Sequence, residues 1–286
     1  MKLSYWRHWG IKTHAVVIKG KEVVEALQYE FIQNAILAGI FISIAAGIIG
    51  SLVVVNKITF LAGGIAHSSY GGIGIAIFLG LPVLLGATVF AVLTAVAISF
   101  LTIYNKSRID SIIGIMWAFG MALGIVFVDL TPGYNVDLMS YLFGSIIAVP
   151  QADIIYMGIL DAIIIVLVTF YYKEFLAISY DAQFAKLRGI SVELFYTLIL
   201  IMAALTVVAA IKVVGLILVI ALLTIPTYLA ESFCNKLSSM MILSSFLAIG
   251  FTLSGLVVSY VYNISSGASI IMVAIVSLIA VKIFKK

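Results

Sequence analysis

From Ile58 to Tyr104 the chain runs forty-seven residues without a Lys, Arg, Asp or Glu. A helix needs about 20 apolar residues to cross the hydrocarbon of a bilayer, so this run holds two crossings. Phe31 to Val55 and Ser111 to Val128 are also uncharged, and Leu237 to Val281 is long enough for two more. A soluble domain is about half apolar and about a quarter charged. Here 64% of the 286 residues are hydrophobic and 10% are charged, so the surplus has to face lipid. Helices satisfy their own backbone hydrogen bonds in hydrocarbon. The expected fold class is therefore an all-α integral membrane protein, a polytopic bundle of about nine (eight to nine) transmembrane helices.

The spans are expected at 31–55, 58–79, 82–104, 111–129, 153–172, 194–211, 214–231, 239–260 and 267–284. Residues 1–30 form a basic, partly amphipathic N-terminal segment, and 31–286 a single transmembrane domain. Placing Lys106 and Arg108 in the cytoplasm puts Lys57, Lys173, Lys186, Arg188, Lys236, Lys282, Lys285 and Lys286 there too. Only Lys212 falls on the other side, a strong positive-inside asymmetry. The same alternation places the basic N-terminal tail outside, against its own charge. Two connections are long: an outer loop at 130–152 and a cytoplasmic loop at 173–193, where Asp181 to Gly189 is expected as a short helix. Asp129, Asp137 and Asp153 make the outer loop acidic, which concentrates cations at a pore mouth.

Several function classes fall away. A single Cys234 excludes a disulfide framework or a cysteine zinc finger. The basic pI near 9.0 comes from lysines and arginines at span ends, so no nucleic-acid partner is implied. There is no cleavable signal-peptide pattern in the first 30 residues. No Gly-x-x-x-x-Gly-Lys-Ser/Thr loop, Gly-x-Ser-x-Gly or His-Glu-x-x-His is present. The chain is expected to be non-catalytic, with any ATP hydrolysis on a separate polypeptide.

Ionisable groups within the spans are few. Asp161 lies in the fifth span, and Lys212 is expected in the turn after the sixth. His67 sits among small and hydroxylated residues, Gly63-Gly64-Ile65-Ala66-His67-Ser68-Ser69-Tyr70-Gly71-Gly72. Imidazole is the commonest ligand for divalent transition metals. The same histidine would also serve as a hydrogen-bonding residue across a helix interface, and both readings stand at this stage. The glycines from Gly63 to Gly74 are dense enough to mark a broken helix or backbone lining a cavity.

Four stretches resemble the zinc/manganese permease family of bacterial ABC importers. They are Ile65-Ala66-His67-Ser68-Ser69, Val136-Asp137-Leu138-Met139-Ser140-Tyr141-Leu142-Phe143-Gly144, Val214-Gly215 through Leu223-Thr224-Ile225-Pro226, and Asp181…Ala185…Gly189. The resemblance implies a multi-pass permease of the bacterial cytoplasmic (inner) membrane that moves zinc or manganese, with no permanently bound cofactor. It implies a permease homodimer, two cytoplasmic ATPases and an extracytoplasmic metal-binding protein. His67, Ser68, Asp137 and Tyr141 would line the transport pathway, with His67 touching the metal. Asp181, Phe184, Ala185, Leu187 and Gly189 would form the helix that couples to the ATPase. One departure stands out: many members carry an acidic residue four positions before the histidine, where this chain has Gly63. An ABC permease for an iron chelate or other small cargo is the nearer alternative. An ATPase-independent secondary transporter, with Asp161 as its coupling carboxylate, is the more distant one.

Overall fold

Uncharged runs fold as helices in hydrocarbon because no water competes for their backbone groups. The computed structural model describes residues 28–103, 108–131, 144, 146, 149–216 and 218–284. These hold eleven helices: α1 (Glu30–Val55), α2 (Phe60–Leu79), α3 (Val83–Ile103), α4 (Ile109–Asp129), α5 (Gln151–Phe170), α6 (Tyr172–Tyr180), α7 (Ala182–Leu187), α8 (Val192–Val214), α9 (Val219–Glu231), α10 (Leu237–Tyr262) and α11 (Ser266–Phe284). No strand occurs among the described residues. Eight of the helices are long and apolar enough to cross a membrane.

The seventh expected span, 214–231, is corrected to a shorter helix. α8 continues to Val214 and stops at Gly215, whose φ of +83° an L side chain rarely adopts. α9 then begins only at Val219 and has 13 residues, about 20 Å at 1.5 Å per residue. That is short of the roughly 30 Å of hydrocarbon. Lys212 is likewise moved from a connecting turn to the last turn of α8.

α1 is the central post, packed on α10, α8, α5 and α9. Gly47 lies against the backbone of Ser245 on α10, and Gly50 against the Leu223 carbonyl on α9. Hydroxyls join the same helices: Ser43 to Thr252 at 3.0 Å and Ser51 to Ser244 at 3.3 Å. Such pairs average about 0.6 kcal/mol in a membrane.

α2 is unbroken through Gly63 to Gly74, which corrects the expectation of a broken helix. The glycines serve contact instead. Gly72 meets Gly86 on α3, while Gly71 and Gly74 meet Gly120 and Gly124 on α4. Gly120 and Gly124 are spaced as a GxxxG pair, which lets two backbones approach closely. Each helical glycine costs about 1 kcal/mol relative to alanine in water, and the close contact between helices offsets that cost.

The connection from α5 to α8 is two helices, of which only the second was expected. The helix bends at Tyr171, and α6 is held by Phe175, fully buried with its ring edge-on to Phe195 at 5.4 Å. α7 starts where the Asp181 carboxylate accepts the Gln183 and Phe184 amides at 3.0 and 2.9 Å, an N-cap. It ends at Gly189, with φ of +79°.

Candidate functional site

His67 projects from the first half of α2 toward α4. Its ring lies flat on the Trp117 indole, with centroids 4.0 Å apart and planes 8° from parallel. Trp117 in turn touches Phe60 at 5.8 Å. Stacking of this kind fixes the imidazole plane and so the directions of both ring nitrogens. Nδ1 is buried and has no hydrogen-bond partner among the described residues.

The absent acidic neighbour now has a structural counterpart. A Cβ at Gly63 would run into Ile220 of α9 and would stand 3.9 Å from Trp117. The space that a carboxylate would enter is filled by an isoleucine side chain. No group of three His, Cys, Asp or Glu residues capable of holding a metal occurs among the described residues. The geometry therefore offers one nitrogen donor, suited to passing contact rather than to a closed four-ligand site.

The other expected pathway residues do not gather round it. Ser68 is fully buried and donates to the Ile65 carbonyl of its own helix at 3.0 Å. Its backbone is the surface against which Gly120 packs. Ser68 thus forms part of the α2–α4 seam. Asp137 and Tyr141 lie outside the described residues. Asp153 pairs with Lys212 at 3.2 Å, so at least one carboxylate of the expected acidic mouth is offset by a cation. Asp161 is 5% exposed and neither oxygen has a hydrogen-bond partner among the described residues. It lies on α5, whose neighbours are α1, α8 and α6, whereas His67 lies against α4.

On α7 the five expected coupling residues divide. Leu187 is 87% exposed and Phe184 is 49% exposed, with the Arg188 guanidinium 5.0 Å from the Phe184 ring centre. Ala185 faces inward and is fully buried, so it seats the helix on the bundle and is not open to a partner. Asp181 caps the helix, and Gly189 ends it with open space around its α-carbon. An exposed apolar pair on a short, capped, basic-ended helix is a surface suited to a partner groove.

Trp117 was not anticipated. Its contact with His67 joins residues fifty positions apart, and no local pattern announces it. The Asp153–Lys212 pair had a weak signal, two opposite charges at span ends.

The domain description "ABC 3 transport family" matches residues 28–285. The chain belongs to the ABC 3 transport family. It is a multi-pass membrane protein of the permease type in that family. An uncharacterized membrane protein from Synechocystis is 44% identical over 97% of this chain and 98% of its own length. The manganese transport system membrane protein MntC of Listeria monocytogenes is 32% identical over 87% of this chain and 88% of its own. Among solved structures, PsaBC from Streptococcus pneumoniae in complex with Fab superposes with a TM-score of 0.81 at 30% identity, covering 91% of this chain and 94% of that one. An inward-facing putative metal-chelate type ABC transporter, TM-score 0.69 at 15% identity, covers 89% and 86% and shares the fold alone.

Proposed function

We propose that this permease carries a divalent metal, zinc or manganese, into the cytoplasm as the membrane subunit of an ATP-driven importer. The observation that carries the proposal is kinship along almost the whole chain with permeases named for manganese transport, including MntC at 32% identity. The isolated His67 nitrogen supports it locally, since a conduit must hold its ion weakly enough to let it go. In this reading two copies enclose the path, and an extracytoplasmic metal-binding protein delivers the ion near Asp137 and Tyr141. Two cytoplasmic ATPases receive α7 through Phe184 and Leu187. Closure of the ATPase pair shifts α7, and the permease alternates between outward- and inward-open states.

The test is uptake of radioactive zinc, manganese and iron by metal-starved cells with and without the gene. Loss of zinc or manganese uptake, sensitive to ATP depletion, is expected and names the cargo. Unchanged uptake of both, with the protein expressed in the parent strain and no second importer present, overturns the proposal.

A further inference from the structure

On a face away from His67, α1, α5 and α10 enclose an apolar groove of about 680 Å³. Ile44, Ile48, Ile165, Met241, Ile242 and Phe246 are among its lining residues. Its lining includes hydroxyl side chains but no charged one, and the Tyr172 hydroxyl accepts the Ser238 amide at 3.1 Å. Lys173 follows Tyr172 directly, and Lys236 is the N-cap residue of α10, two positions before Ser238. Both lysines are exposed, and neither forms an ion pair among the described residues. Glu174 lies about 200° round α6 from Tyr172 at 3.6 residues per turn, away from the groove side.

We propose that this groove is a binding site for an anionic phospholipid. One acyl chain lies along α1, α5 and α10, and the headgroup phosphate rests on Lys173 and Lys236. Basic pockets between transmembrane helices take anionic headgroups in this way. Charge and position select this occupant over two others. A second copy packed here about a two-fold axis would bring a second Lys173 and Lys236 toward the first pair. The chain's own residues 1–27 join α1 at Glu30, the end opposite Asn56, whose amide meets Ser179 of α6 at 2.9 Å, so they enter far from Lys173 and Lys236. The site is independent of the cargo assigned above.

The experiment is native mass spectrometry of the full chain, purified, delipidated and titrated with phosphatidylglycerol or phosphatidylcholine of the same acyl chains. Wild type is expected to retain phosphatidylglycerol at a lipid-to-protein ratio at least about 5-fold lower than phosphatidylcholine. Lys173→Gln with Lys236→Gln reduces that preference below about 2-fold, and Ile242→Trp, which fills the groove, loses both lipids. The lysines are exposed and Ile242 is 60% exposed, so the variants keep the fold; gel filtration checks this. Equal retention of the two lipids by wild type, or an unchanged preference in the double variant, overturns the proposal. A disulfide-linked dimer formed by Ile242→Cys in a Cys234→Ser background also overturns it, since a second copy then covers the groove.

Discussion

Leu187 is the side chain whose removal best separates partner binding from folding. Fully burying a leucine side chain is worth about 1.5–3 kcal/mol relative to leaving it exposed. Leu187 is 87% exposed in the free chain, so nearly all of that gain is still to be made on docking. Leu187→Ala keeps one methyl and gives up roughly 1–2 kcal/mol, a factor of about 5–30 in affinity for the ATPase. The fold loses almost nothing, within about 0.5 kcal/mol, because the side chain touches little. The assay is binding of the purified ATPase to the permease in nanodiscs, with thermal unfolding of the permease measured alongside. The expected result is weaker binding at unchanged Tm. Ala185→Leu should show the reverse emphasis, a lowered Tm, since Ala185 is fully buried. If Leu187→Ala binds the ATPase within 2-fold of wild type, the outward face of α7 is not the docking surface.

Two further outcomes follow from the α2–α4 contact. Trp117→Ala removes a ring stack worth about 0.5–1.5 kcal/mol and should lower uptake at limiting metal by about 2- to 12-fold. Trp117→Phe should keep most of it, and wild-type uptake in Trp117→Ala at equal membrane abundance would remove Trp117 from any positioning role. Gly124→Leu drives a side chain into the backbone of Tyr70 and should cost about 1–3 kcal/mol. Gly114→Leu, four Å or more from any neighbour, should leave Tm unchanged; equal Tm values in the two variants would refute the close-contact account.

Span positions were legible because both the lipid-facing and the interior sides of these helices are apolar. The same property hid the end of α8. Gly215 and Leu216 are as apolar as a helix interior, and hydropathy does not distinguish buried irregular backbone from buried helix. Glycines misled for a related reason. In water a cluster such as Gly63 to Gly74 weakens a helix, but in hydrocarbon the backbone ladder has no competitor and the missing Cβ becomes a contact surface. α7 was legible because its signals are local, a capping aspartate and a terminating glycine. The bend at Tyr171 carries no such mark. At the candidate site the histidine was visible, yet the residues that decide its surroundings, Trp117 and Ile220, come from two other helices. Ser68, next in sequence, stands about 100° round the helix from His67 and so meets different surroundings.

The Asp153–Lys212 contact closes a circuit. Asp153 stands in the first turn of α5 and Lys212 in the last turn of α8, and the far ends of these helices are joined through α6 and α7. The four helices thus form a frame that is covalent along three sides and ionic at one corner. A frame braced at both ends resists scissoring between its uprights. A push delivered to α7 would tilt α5 and α8 together, as one stiff panel, against α1. With that corner cut, the same push would be spent in splaying the two helices apart.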